Sequence, residues 1–286
     1  MATYRSIGLY ETRADLITAL GAFLVTQGWT DVGTTPGFVF QNVADSEGRV
    51  SVVGFAENGT YANLIDVTLG NDVSGDVVQD SGGASTQAGG LHWVSGQPFV
   101  FHATDRWFAA HMVCAATDYS YVMMGSLECE LSAADYPSPQ IWTAARAVGN
   151  TTRIVYLDRY GDSYRVRNAA DDSWIYAGPH VPWFFYTTGA AIYPRTADCR
   201  INGAPGGRGL GYIAHRMYWS EYPSGGYMTG YLKDAWVVWI GTIAGTEELS
   251  FFRVQVGSRY YYHPGGRYEG YFGDYGALVL PGEDVV

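Results

Sequence analysis

The chain has 286 residues, of which 47% are apolar and only 16% charged, against roughly 25% charged in an average soluble protein. That length suits one large domain or two ordinary ones. A net charge of −11 disfavours general nucleic-acid binding, which rests on clustered Lys and Arg.

Thirty-seven glycines and 23 tyrosines in so uncharged a chain suit β-structure with many turns and broad contact surfaces, where tyrosine offers a rigid ring with a polar handle. Lys233 is the only lysine. The first residues, MATYRSIGLYETRAD, are polar and acidic where a secretory signal would be apolar, and no run of eighteen apolar residues exists. The expectation is a protein made in a cytoplasm, without a membrane span.

One helix is legible. In LYETRADLITALGAFLVTQGW, the apolar positions Leu9, Leu16, Ile17, Leu20, Phe23 and Leu24 follow the 3.6-residue period. Thr12 followed by Asp15 resembles a capping box, and Gly28 is a stop. The helix is predicted from about Glu11 to Thr26, with one apolar face.

After Trp29 the pattern turns to strands: FVFQNV, VSVVGF, ANLIDVTL, FVFHA, RWFAAHMVCA and YSYVMMGSLE, divided by turn clusters. Residues 71–90 read as a long polar loop. The stretch from Asp105 to Pro139 reads as a hairpin turning at 116–118. Its exit is extended by Pro137 and Pro139. A second set follows: TRIVYLDR, SYRVRNA, SWIYAG, WFFYTTG, AWVVWIGTI, LSFFRVQV, RYYYH and GALVL. Residues 201–230, rich in Gly and Pro, read as an irregular excursion. The fold class is α+β: mostly antiparallel β, as sandwich-like sheets, with one N-terminal amphipathic helix. The domains are 1–149 and 150–286, with a boundary that one domain of two sheets would erase.

Chemistry is sparse in the sequence. His102 with Asp105, and His111 with Cys114, have spacings a metal can use, but His111 and Cys114 on one strand would face opposite sides. Cys114 and Cys129 flank the predicted turn, and buried thiols are the commoner reading. Glu128 and Glu130 share a strand face, roughly 7 Å apart, a candidate acid pair for glycoside cleavage; a charged sheet edge is the ordinary alternative. The segment 203–211, GAPGGRGLG, lacks the Lys-Ser/Thr pair of a phosphate loop. No catalytic residue, metal or cofactor is expected. Aromatic clusters beside arginines stand out instead, and Trp183, Phe184, Tyr218, Trp219, Tyr260, Tyr261 and Arg208 are the candidate interface residues. Direct nucleic-acid or membrane partners are not expected.

Three blocks in order carry a resemblance. They are LITALGAFLVTQGWT, then YVMMGSLECELSAADYPSP, then GYLKDAWVVWIGTI with LSFFRVQVGSRYYYHP and YGALVL. Together they resemble a family of virion structural proteins of tailed bacteriophages. The middle segment, 201–230, departs from that pattern. The resemblance implies a non-enzymatic subunit present in several copies at the neck or collar or on the tail. Its partners would be other copies of itself and other virion proteins, assembled in the host bacterial cytoplasm. The alternative is a receptor- or carbohydrate-binding tail or baseplate module.

Overall fold

The computed structural model describes residues 2–79, 87–112, 121–126, 128–129, 141–146, 158–160, 163–168, 174–179, 186–187, 190–191, 214–221, 228–238, 253–262 and 277–285. The chain opens with strand β1 (Arg5–Leu9) and helix α1 (Arg13–Thr26). Short strands follow: β2 (Thr30–Asp31), β3 (Val39–Gln41), β4 (Val52–Glu57), β5 (Leu64–Gly70), β6 (Asp72–Ser74), β7 (Val77–Gln79) and β8 (Gln87–His92). Next come β9 (Pro98–Ala103), β10 (Trp107–Met112), β11 (Tyr121–Ser126), β12 (Glu128–Cys129) and β13 (Ile141–Arg146). The remainder are β14 (Asp158–Tyr160), β15 (Ser163–Asn168), β16 (Trp174–Pro179), β17 (Tyr186–Thr187), β18 (Ala190–Ala191), β19 (Ala214–Glu221), β20 (Met228–Val238), β21 (Arg253–Val256), β22 (Arg259–Tyr262) and β23 (Ala277–Asp284). Mostly antiparallel sheets with one N-terminal helix are therefore the architecture.

The helix begins where the sequence says it should. Asp15 N–H donates to Thr12 Oγ1 at 3.1 Å, and Thr12 N–H donates back to Asp15 Oδ2 at 3.1 Å, so two orphan donors of the first turn are satisfied. Gly28 ends it with φ 94, donating its N–H to the Val25 carbonyl. Leu16, Ile17, Leu20 and Leu24 form its buried stripe. Leu9, which fits the same period, instead ends β1 and is exposed. The chain turns between Leu9 and Thr12, and the cap box excludes earlier residues from the helix.

Two sheets receive that stripe. One has the order β2-β3-β4-β5-β8; the other runs β1-β9-β10-β11-β13-β15-β16-β19-β20-β23-β22-β21. The hairpin of β6 and β7, with Val73 opposite Val78, and the first residues of β8 lie within 71–90, which was expected to be a loop. Val78 seals Val39 and Val52, so a few valines order a segment that composition marks as polar. Likewise β19 lies inside 201–230, where its apolar and aromatic residues pair with β16 and β20; the excursion is not irregular throughout. The Tyr-Pro-x-Pro exit, the turn at 116–118 and segment 203–211 lie outside the described residues.

Strands β9, β10 and β11 are buried on both faces, which alternate along each strand. Phe99, Phe101, Ala103, Phe108, Ala110, Met112, Val122 and Met124 join the helix and the smaller sheet in the main core. Tyr10 stacks on Phe101 at 5.5 Å, and Phe108 meets Phe55 and Trp29 edge-on. The opposite face carries Val100, His102, Trp107, Ala109, His111 and Met123, all buried. It looks toward β20 and β23: Trp107 Nε1 donates to the Lys233 carbonyl at 2.7 Å, and His102 Nδ1 lies 2.7 Å from the Pro281 carbonyl. This side of the sheet closes on itself. Strand β12, continuing β11, pairs with β20. Strand β20 pairs with β23. The end of β23 then meets residues 2–4, through a bridge between Thr3 and Glu283 and a 2.6 Å bond from Tyr4 N–H to the Gly282 carbonyl.

Candidate functional site

Two polar centres stand out, one sealed and one open. The sealed centre ties the β3–β4 connection to the β10–β11 pair. Asp45 Oδ1 accepts the N–H groups of Glu47 and Arg49, each at 2.9 Å, and Oδ2 accepts Arg49 Nε at 2.6 Å. Burial alone would raise the Asp45 pKa, but the bonds from Arg49 and Glu47 outweigh it and hold the carboxyl below its ordinary value. Arg106, 1% exposed, reaches the carbonyls of Val43 and Arg49. Its Nε lies 3.5 Å from Glu128 and its Nη2 lies 4.0 Å from Asp45. Burial pulls its pKa down against the support of Glu128, Asp45 and Asp105. Asn42 completes the centre. Its Nδ2 donates to the Arg106 carbonyl at 3.1 Å and to Ser126 Oγ, and its Oδ1 accepts the Ser51 N–H at 2.7 Å.

Glu128, half of the acid pair considered from the sequence, is therefore a counter-ion to Arg106; Glu130 lies outside the described residues. Cys129 stands across from Gly230 of β20, and Cys114 is likewise outside. His102 and Asp105 do not converge. His102 is directed at Pro281, while Asp105 takes Lys233 Nζ at 2.7 and 2.9 Å. His102 and His111 stack at 5.7 Å with planes 10° apart, face to face rather than converging on one ion. Burial, with the nearby Arg5 charge adding to it and the Pro281 carbonyl opposing it, pushes the His102 pKa down to about 3. A neutral imidazole so held is a poor proton acceptor at neutral pH. Among the described residues no group of three His, Cys, Asp or Glu is arranged to hold a metal ion.

The open centre is a groove of about 770 Å³ between the N-terminal residues, the end of α1, the β9–β10 turn and β20; Thr3, Arg5, Gln27, Asp105, Lys233 and Asp234 line it. Between Tyr231 and Trp236 the strand bulges, with 232–235 opposite Met217 alone. Asp234 sits there at φ 58, the left-handed region that Asp tolerates better than most residues. Arg259 organises the rim. It donates through Nε to Asp284 at 3.0 Å and through Nη2 to Tyr4 Oη at 2.7 Å, its Nη1 is 3.1 Å from Asp234, and its guanidinium covers the Tyr4 ring at 3.8 Å. Burial lowers the Arg259 pKa, but the Asp284 bond and the neighbouring Asp234 charge raise it further.

Of the candidate interface residues, Trp183, Phe184 and Arg208 lie outside the described residues. Tyr218 and Trp219 occupy β19, across from Gly178 and Ala177 of β16. Tyr261 is buried inside the chain, and Tyr260 beside it is half-buried. Neither polar centre was foreseen from sequence. Arg106 beside Trp107 carries no motif, and the carbonyls of Val43 and Arg49 that it reaches come from segments 57 or more residues away in sequence. No family model and no curated protein matches the chain.

Proposed function

We propose that the chain is a non-enzymatic structural subunit of a tailed-bacteriophage particle, oligomeric at the neck or collar or on the tail. The observation that carries this reading is the use to which the described buried polar groups are put. Asp45, Arg49, Arg106 and Glu128 neutralise one another, and His102 serves the Pro281 carbonyl. Arg106 and His102 tie distant segments together, as a scaffold requires. The three-block sequence resemblance supplies the phage context. Trp183, Phe184, Tyr218, Trp219, Tyr260 and Arg208 are the proposed contacts to neighbouring subunits. Mass spectrometry and antibody-gold labelling of gradient-purified particles test the reading. Label at a fixed position on the particle is expected, and absence from the particles rejects it.

The open groove favours one second reading, a carbohydrate-binding tail module. Hydroxyl, amide and carboxylate groups from Thr3, Gln27 and Asp105 meet there. Retention on immobilised host polysaccharide, lost in Lys233→Ala with Asp234→Ala, is the result that reading requires.

A further inference from the structure

Strand β1 ends the large sheet. It pairs with β9 from Arg5 opposite His102 to Leu9 opposite Pro98. On its other side residues 2–4 meet β23 and the start of β1 lies close to that strand, but no described strand pairs with Arg5–Leu9 there. Edge strands are ordinarily blunted by Lys, Pro or a bulge, because an open row of backbone groups templates pairing with another chain. Here the edge reads RSIGL. Ile7 is 55% exposed and Leu9 67%, on the same face as Val100, which is 1% exposed. The other face is closed: a Cβ on Gly8 would lie 2.6 Å from Tyr10 Oη.

We propose that a second copy of this chain docks on this edge, β1 against β1, antiparallel about a two-fold axis at Ile7. The strand is self-complementary in that arrangement, as a two-fold contact requires. Ile7 meets Ile7 of the second copy, and Arg5 stands opposite Leu9 of the second copy. The two guanidinium groups fall at opposite ends, so no like charges face each other. Repulsion also selects this site. The chain carries a net −11, whereas β1 holds no acidic residue. Two five-residue strands bury less than the roughly 1,200 Å² of a standard stable interface, so the dimer is concentration-dependent when isolated. The contact stands independently of the virion reading.

Sedimentation equilibrium of the full chain, from about 10 µM to about 1 mM, tests it. A monomer–dimer equilibrium is expected for the wild type, with at least a tenfold loss of association in Ile7→Lys/Leu9→Lys. Both side chains are exposed, so unchanged circular dichroism should accompany that loss. In a second measurement, Ile7→Cys should give a disulfide-linked dimer on mild oxidation that the wild-type cysteines do not, because opposed residues bring their Cα atoms within about 5.5 Å. A wild type monomeric throughout, an undiminished dimer in the double variant, or growth past the dimer into open ladders overturns the proposal.

Discussion

Arg106 concentrates more long-range contacts in one side chain than its neighbours in sequence suggest. Removing its guanidinium takes the counter-ion from Glu128 and leaves the Val43 carbonyl without its donor, while Asp45 keeps Arg49. Leaving a buried carbonyl without its donor costs about 1–3 kcal/mol, and Arg106→Met should lower the urea midpoint accordingly. Losses under about 1 kcal/mol would mean that the centre is effectively solvated. Gly125 makes a sharper steric demand. Its φ is 153, and a Cβ there would lie 2.4 Å from the Trp107 Cα and 2.5 Å from the Arg106 carbonyl oxygen. Backbone atoms cannot yield as a side-chain tip does, so Gly125→Ala should cost at least about 2 kcal/mol, read from the same denaturation curve.

His102 makes stability depend on pH with a definite sign. The unfolded imidazole takes up a proton near its ordinary 6.5, while the folded one resists down to about 3. Acidification through that window therefore favours the unfolded chain, by up to about 1.4 kcal/mol per pH unit. The depressed Asp45, Asp76 and Asp284 carboxyls lose their contribution only below the ordinary Asp value of 3.8, so they add nothing to the slope from 6.5 to about 4.5, and a His102 variant separates its share from that of the other five histidines. Stability of His102→Asn, which keeps an N–H for the Pro281 carbonyl, should fall less steeply across that range. Equal slopes in the two proteins would exclude His102 as the source.

Among the elements, helix α1 was the most legible. Its cap, stripe and stop are local in sequence; the cap and stop were recovered in place, and the buried stripe runs from Leu16 to Leu24 without Leu9. Thr12→Ala removes one arm of the capping box, which should cost about 1 kcal/mol and shift the thermal midpoint downward by a few degrees. The core strands were legible too, because β-branched and aromatic residues run in short blocks between turns. Strands β1, β6, β7, β8, β13 and β19 were not. Most of their sequences are short, and glycine or polar residues break the alternation, so partners rather than propensity order them. The tryptophans illustrate the same division. Trp29, Trp93 and Trp107 each donate Nε1 to a backbone carbonyl, of Thr104, Tyr10 and Lys233 respectively. Burial of a large ring is predictable from sequence; the identity of the acceptor is not.

At the scale of the whole molecule, the two ends of the chain hold each other. Tyr4 and Arg259, Thr3 and Glu283, and Arg5 over Tyr262 at 4.4 Å join residues separated by nearly the full length. Arg259→Met breaks the contacts to Tyr4, Asp234 and Asp284 together. Hydrogen exchange should then quicken at Tyr4 and Gly282 while α1 keeps its protection, since the helix stripe packs in a separate core. Uniform acceleration across the chain would instead make this clasp part of one cooperative unit.

The sequence by itself determined the class of fold, the position of the helix and most of the core strands, because these depend on periodicity and capping within a few residues. Only the tertiary structure decided which carboxylates serve as counter-ions, that His102 is held neutral, and that β1 leaves Ile7 and Leu9 exposed. Those properties depend on dielectric, distance and pairing between segments up to 255 residues apart, and no local pattern encodes a neighbour that the chain must fold to reach.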